Sequence, residues 1–576
     1  MAVGPSVTPA QSQVEYAGTV SVLSLPDAVR HLACLAEVRG AAEAADLKAA
    51  SRLLETLPDS RLTHLLQQFQ NGQAHGLGEL PQAAVRAIED IATVGPDMAL
   101  SVARGRVPSL IRRLLDLQAL THDQACRLVR DFGVLTVREL RAALHEARLT
   151  SLTPPAIERL TAAAEIISGE ARFTPLGRAL DIAASLQESL RAHCPTVEDT
   201  VIAGDARRFE PLVTAIVLVA RTADPLRALE DLVVLPGIEA VLHRSGRRAL
   251  LQFQQAEVDI RLAAPDDHGT ILFTATGSPA HVMAVNGRRR RLELCSREGD
   301  VYKYAGLPWI PPEIRNGTGE VEAAAAGRLP RLVERTDIRG DLHLHSTYSD
   351  GQDAIETMIS TAIALGYEYV AITDHSEQAA ASRTLTFDQL AKQSDEIARL
   401  RDRYPMITIL HGIETEILPD GGIDFPDAVL ERLDIVLASL HEAAGHDGPA
   451  LTRRCLQAIR HPLVNVISHP ANQLVGRRAG YLLDYDAIYA AAAESGTALE
   501  IDGAPSHLDL DGEHARAAVA AGATVTIDSD CHRARALDRQ MLMGVGTARR
   551  GWVEPKHVLN ARPIADVRAF VAAKRG

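Results

Sequence analysis

At 576 residues, 46% of them apolar, the chain is too long for one hydrophobic core and has enough apolar material for several. Its 60 Lys and Arg against 74 Asp and Glu give a net charge of −14, and aromatic residues make up only 4%; this excludes indiscriminate polyanion binding, leaving local basic patches as the route to any nucleic acid. Met-Ala-Val-Gly-Pro-Ser at the N-terminus has neither half of a secretory leader, no apolar run reaches bilayer length, and six scattered cysteines without a Cys-x-x-Cys pair exclude a disulfide framework, so a cytoplasmic protein without membrane contact is expected.

Residues 1–24 are rich in small and polar side chains and read as a tail. From Pro26 to about Arg106 the periodicity is helical, with Ala- and Leu-rich segments at 28–38 and 41–57, a turn at Gly76-Leu77-Gly78 and another helix from Pro81. A helical N-terminal domain over 25–106 is predicted. Shorter helices follow to 170, broken at Leu120-Thr121-His122 and Leu152-Thr153-Pro154-Pro155. Their spacing resembles tandem helix-hairpin-helix units, in which a Gly-x-Gly hairpin aims backbone N–H groups at a DNA phosphate. The hairpin positions hold Ala119-Leu120-Thr121 and Leu152-Thr153-Pro154, and only Gly76-Leu77-Gly78 keeps the pattern, so the 107–170 region is expected to be a degenerate version with a weakened phosphate grip.

Helices and strands mix between 173 and 335. The informative runs are Val201-Ile202-Ala203-Gly204 leading into Asp205-Ala206-Arg207-Arg208, the strand 213–218, Val258-Asp259-Ile260-Arg261, Phe273-Thr274-Ala275-Thr276-Gly277-Ser278 and Leu307-Pro308-Trp309-Ile310-Pro311-Pro312.

The C-terminal part is organised around Asp341-Leu342-His343-Leu344-His345. Two histidines two apart on a strand share a face while the leucines take the other, a geometry suited to a metal. Asp350 follows after a polar turn. An apolar run ending in His, Asp or Glu then recurs: 369–373 leads to Asp374 and His375, 407–410 to Glu414, 434–439 to His441, 464–468 to His469, and 524–527 to Asp530 and His532. With 342–345 and 498–501 there are about seven such runs, separated by helical stretches such as 354–365 and 387–403. The alternation predicts a parallel sheet closed into a (βα)7-type barrel, with these groups gathered at the C-terminal strand ends. His343, His345, Asp350, His375, Glu414, His441, His469, Asp530 and His532 are ligands enough for about three ions; nitrogen and oxygen donors without thiolate suit zinc, manganese or iron. Cys531, between two of them, is expected to face away and pack.

This array resembles the PHP (polymerase and histidinol phosphatase) domain, whose members are metal-dependent phosphoesterases, and all nine ligand positions of that family hold the expected residue type. The resemblance implies three divalent ions, zinc and/or manganese: one held by His343, His345, Glu414 and Asp530, a second by Glu414, His441 and His469, a third by Asp350, His375 and His532. It further implies that Asp374 orients a metal-bound histidine, and that Arg477 and Arg478 bind a flanking phosphate.

Nearly the whole chain resembles bacterial and archaeal family X DNA polymerases that carry a C-terminal PHP domain. The implied domains are a palm-like α+β nucleotidyltransferase domain over 171–265, a thumb-like domain and linker over 266–336, and the PHP domain over 337–576. The departures matter. Read in register from Gly204 and Arg207-Arg208, the paired catalytic aspartates of that family are Ala215 and Val217; only Asp259 survives, and Asp205 stands where the phosphate-contacting serine is expected. A two-metal site with one carboxylate should not assemble, so nucleotidyl transfer is expected to be absent. The function implied is a phosphoesterase, foremost a 3'-5' exonuclease or DNA 3'-end processing enzyme in DNA repair acting on 3' ends, gapped or single-stranded DNA. A histidinol-phosphatase-like phosphomonoesterase and a non-catalytic repair scaffold are the alternatives.

Overall fold

The computed structural model describes residues 23–71, 80–170, 173–289, 293–379, 381–441 and 445–576. Gly76-Leu77-Gly78, the hairpin candidate closest to the pattern, lies outside them. The described residues divide into two compact units: one runs to Glu165 except for 136–138, and the other takes those three residues and everything from Ile166. Among the described residues, no helix is long and apolar enough to cross a membrane.

The first unit is helical. Leu25–Val38 opens it, capped by the Ser24 side chain on the Asp27 amide, and buries Ala28, Val29, Ala33 and Ala36 against Leu54, Ile88 and Ile91. His122–Phe132 starts at a reciprocal Thr121 and Gln124 capping box and stops at Gly133, whose φ of 65° suits a left-handed cap. The turn that precedes it contains Gln118 at φ 53°, and Ala147 takes φ 50° after the helix Val137–His145. These left-handed residues carry a Cβ and precede the expected hairpin positions 119–121 and 152–154, none of which takes a positive φ.

The second unit has two halves. The first opens with a short antiparallel ladder between β1 (Thr174–Pro175) and β3 (Leu212–Val213) and the helix Leu176–His193. Its five-stranded sheet runs in the order β2 (Asp199–Ala203), β4 (Ile216–Arg221), β7 (Ala256–Ala263), β6 (Arg248–Phe253), β5 (Ile238–Ser245), with only β4 and β7 parallel. This is the α+β architecture expected of a palm-like domain.

The second half is the barrel. Strands β8 (Gly340–Asp341), β9 (Tyr369–Ile372), β10 (Thr408–Glu416), β11 (Ile435–Ser439), β12 (Val466–Ser468), β13 (Ala498–Asp502) and β14 (Val525–Asp528) lie side by side in sequence order, every pair parallel. A bridge between Leu344 and Cys531 nearly closes the ring. Period-two alternation splits the strands between two cores. Leu342, Ala371, Leu410, Leu437 and Val466 fill the interior, where the C-terminal helix Ile564–Arg575 plugs the far end with Val567 and Val571. Val370, Ile372, Ile409, Val436 and Ile467 face the surrounding helices. Cys531 joins that outer core, as expected.

The run 342–345 differs from the continuous strand expected of it. The ladder stops at Asp341, because the Leu342 amide is taken by the Asp528 carboxylate (2.8 Å) and the Leu344 amide by Thr373 Oγ1 (3.0 Å). The helix Leu537–Arg550 joins the two halves: Gly546 lies under Phe209, Arg549 pairs with Glu313 at 2.8 Å and Arg550 with Glu210 at 2.6 Å.

Candidate metal centre at the strand ends

All nine residues singled out in the barrel converge at the C-terminal ends of its strands. Glu414, on β10, is the hub. Its Oε2 lies 3.3 Å from His343 Nε2, 3.4 Å from His345 Nε2 and 2.8 Å from His375 Nδ1, yet makes no hydrogen bond with any of them. Its Oε1 lies 2.9 Å from His469 Nε2. Asp530 Oδ1 approaches His345 Nε2 at 3.0 Å, and Asp350 Oδ1 approaches His532 Nε2 at 3.2 Å and His375 Nε2 at 3.6 Å. His343 and His345 turn their Nε2 atoms to within 3.0 Å of each other, both rings fully buried. Two like nitrogens facing one carboxylate oxygen without bonding to it is poor hydrogen-bond geometry but good geometry for ligands around a cation.

Four sets of donor atoms lie close enough to share an ion: His345 with Asp350, His375 and His532; His343 with His345 and Asp530; Glu414 with His441 and His469; and Asp502 with His507 and Asp530. The backbone is strained at two of these positions, His469 at φ 27° and Asp530 at φ 47°. Burial alone would raise the pKa of Glu414, but His375 and His343 hold it well below the usual carboxylate range. Burial opposes the charge on Asp350 as well, and a hydrogen bond from His532 outweighs it, bringing that carboxyl to about 2. Burial would lower the pKa of His343, but the carboxylates of Glu500, Glu414 and Asp530 raise it well above the ordinary value. The carboxylates of Glu414, Asp350 and Asp530 therefore stay charged at neutral pH. With nitrogen and oxygen donors and an orphaned buried carboxylate oxygen, the site fits divalent cations.

The histidines are oriented by carboxylates absent from the sequence reading. Glu500 Oε1 meets His343 Nδ1 at 2.6 Å, and Glu416 Oε2 meets His441 Nδ1 at 2.8 Å, leaving each Nε2 for the centre. Asp374, expected in that role, instead accepts from the amides and hydroxyls of Ser346 and Ser349 and from Gln393. It sits one residue before His375, whose ring points the other way, and what it fixes is the turn that presents Asp350. The alternation of β10 and β13 could have found Glu416 and Glu500, each two residues from a strand-end carboxylate on the same face. A cavity of about 370 Å³ opens over the centre, bordered by Asn472, Arg478, Tyr481 and His507; Arg477 does not border it.

The palm-like sheet is different. Ala215 and Val217 pack in an apolar cluster with Val201, Val219 and Leu272. The register sets Val217 directly opposite Asp259. Asp259, 1% exposed, is fully engaged: Arg248 binds it at 2.7 and 2.9 Å and Arg261 at 3.1 and 3.0 Å. Burial would raise its pKa, but the two guanidinium groups bring it to about 2. Asp205 is likewise spent on Arg208 (2.6 Å) and the Thr214 amide (2.9 Å), and Arg207 on Glu298 (2.9 and 3.0 Å).

A seven-stranded parallel barrel with this ring of histidines and carboxylates defines the second half of the unit as a PHP domain, and the PHP domain family model matches residues 341–495. The chain as a whole belongs to the PolX family of PHP-bearing family X polymerases. It is 33% identical over 518 residues to the DNA polymerase/3'-5' exonuclease PolX of Bacillus subtilis, a match that spans 86% of this chain and 90% of that protein. A probable phosphatase of Syntrophotalea carbinolica is 35% identical over 168 residues, 28% of this chain and 64% of that one. Among solved structures, the histidinol phosphate phosphatase of Lactococcus lactis, complexed with zinc, L-histidinol and phosphate, is 18% identical, covering 37% of this chain and 93% of its own, at a TM-score of 0.30.

Proposed function

We propose that this protein is a divalent-metal-dependent phosphoesterase that removes nucleotides from DNA 3' ends in the 3'-5' direction, with a polymerase-like core that no longer transfers nucleotides. The observation that carries the proposal is the Glu414 carboxylate, buried among three imidazole nitrogens that it does not hydrogen-bond. Membership of the PolX family, in which the Bacillus subtilis relative is named an exonuclease, supports DNA in repair, with 3', gapped or single-stranded ends, as the substrate.

In this reading the nine residues hold up to three ions, zinc or manganese, in the sets His343, His345, Glu414, Asp530; Glu414, His441, His469; and Asp350, His375, His532. Such ions supply Lewis acidity and a hydroxide near neutral pH when bound. Glu500 and Glu416 fix the tautomers of His343 and His441 so that each Nε2 lone pair faces inward. Arg478 presents its guanidinium to the cavity, where it would hold a phosphate beside the reacting one. No serine, threonine or cysteine nucleophile is needed; the work of the chain is positioning and charge compensation. Nucleotidyl transfer is absent in this reading because Asp259 is bound by two arginines and its partners are Ala215 and Val217. The domain limits proposed are those at 106, 170, 265 and 336.

A gel assay on a 5'-labelled primer and template with manganese, with and without nucleotides, tests the proposal against His343→Ala. Shortening that is lost in the variant, with no extension by either protein, is the expected result. Extension would overturn the inactive palm. An intact primer alongside hydrolysis of a small phosphomonoester would replace the exonuclease with a phosphatase.

A further inference from the structure

Two loops border the cavity beside the candidate metal ligands. Residues 472–481 bring Asn472, Arg478 and Tyr481 to it, and residues 503–510 bring His507. The Val475 amide donates to the Ser506 carbonyl at 2.8 Å and ties one loop to the other. His507 stacks on His469 with ring centroids 5.4 Å apart, and its buried Nδ1 has no partner. Arg478 is steered by the Asn472 carbonyl oxygens, backbone at 2.8 Å and side chain at 2.7 Å.

Behind the cavity both loops rest on the palm-like half. Val475 and Leu508 are buried in the core built by the helix Leu176–His193 and β4. Gly476, at φ 73°, lies so close to β3 that a Cβ on it would stand 3.3 Å from Leu212 Cδ2. Gly177, in the first turn of that helix, lies under Pro505, and a Cβ there would stand 2.7 Å from the Pro505 ring, a rigid neighbour. From the barrel side, Arg539 binds the Gly177 carbonyl at 2.9 Å and Asp181 at 2.9 Å. The contact is shaped as a seat.

Building on the phosphoesterase reading above, we propose that the palm-like half is a positioning element of the barrel's active site. Its edge at Pro175, Gly177 and Leu212 fixes the two loops so that Arg478 and His507 meet the flanking phosphate of a phosphodiester substrate. Gly177, Leu212 and Pro505 are positioning residues: none touches the cavity, and each acts through a group that does. The proposal gives a palm without a catalytic carboxylate set a role other than holding DNA.

The test uses the full chain loaded with manganese and the variant Gly177→Val, which forces Pro505 off its seat. Amide exchange should accelerate over 472–481 and 503–510 while β11 and the helix Leu176–His193 keep their protection. Binding of inorganic phosphate should weaken about tenfold, the scale of one charge-assisted contact, at unchanged manganese content. Adding Arg478→Ala to Gly177→Val should then cost little more, and Pro505→Gly should restore both readouts. If Gly177→Val fails to fold, Arg539→Ala, which removes only the clamp on that turn, is read by the same measurements. Faster exchange with unchanged phosphate affinity would mean a purely structural contact and overturn the proposal, as would unchanged exchange in a folded variant. A wild-type protein that binds manganese but no phosphate would refute the phosphoesterase reading, while exchange alone still decides whether the palm seats the loops.

Discussion

The two halves of the second unit each bury a carboxylate at a strand position where a metal site is at stake, and they treat it in opposite ways. In the palm-like sheet, Asp259 is enclosed by two guanidinium groups that occupy both of its oxygens. In the barrel, Glu414 is as deeply buried, but its Oε2 has only imidazole nitrogens around it and bonds to none. A buried charge must be compensated. The palm does so with two arginines on both oxygens, whereas in the barrel the charge is offset by His375 and His343 while Oε2 keeps no hydrogen bond, as a position open to a cation would. Buried carboxylates therefore have to be read with their neighbours, since the sequence shows an acidic residue in each case.

Removing a candidate ligand should separate the halves most sharply. His343→Ala or Asp530→Ala is expected to abolish hydrolysis, by more than the roughly 10–100-fold loss that follows removal of an outer partner of a metal ligand, and to lower bound manganese measured by elemental analysis. Chelation should do the same to wild type, and restored manganese should reverse it. In the palm, Asp259→Asn should leave hydrolysis intact but destabilise the fold by about 3 kcal/mol, read by urea unfolding, because two arginines lose their common anion. Hydrolysis that vanished with Asp259 would break the contrast.

Glu416→Gln and Glu500→Gln should each cost about 10–100-fold in metal affinity or activity, as loss of a carboxylate that fixes a ligand's tautomer does. Asp259 also gives the palm a pH signature. Its carboxyl titrates near 2 in the folded chain and near 4 unfolded, so the stabilisation is complete above about pH 4 and fades as pH falls through 2, about 2 kcal/mol in all. Unfolding curves at pH 5 and pH 2.5 should differ by about 1.5 kcal/mol more in wild type than in Asp259→Asn, because part of the stabilisation survives above the folded pKa. The smallest effect concerns the paired arginines: Arg478→Ala should raise KM about tenfold and Arg477→Ala leave it within about twofold, since only Arg478 borders the cavity.

Much of this was legible in the residues. The seven apolar runs and the polar groups that end them predicted the barrel and brought together the nine side chains, because strand-end position in a parallel barrel is set by local pattern. Partner choice is not local. Glu500 serves His343 from five strands further round the ring, and no spacing rule distinguishes it from Asp502 on the same strand. Asp374 shows the same limit: its neighbour in sequence is His375, but its neighbours in space are Ser346 and Ser349. The ladder at β8 ends early because side chains from β14 and the end of β9 reach backbone amides that the pattern assigned to the strand.

Because the strands follow one another round the ring without a swap, the neighbouring strands farthest apart in sequence are the first and the last. His343 and His345 stand on one side of that junction, Asp530 and His532 on the other. A cation shared by them would be a rivet across a seam. It could not be set until the last strand had left the ribosome and docked, and once set it would resist reopening in proportion to the logarithm of free metal over its dissociation constant. Metal availability during synthesis would then govern how long the closed barrel survives, quite apart from any bond it cleaves, and the melting temperature should climb with added manganese in wild type but not in Asp530→Ala.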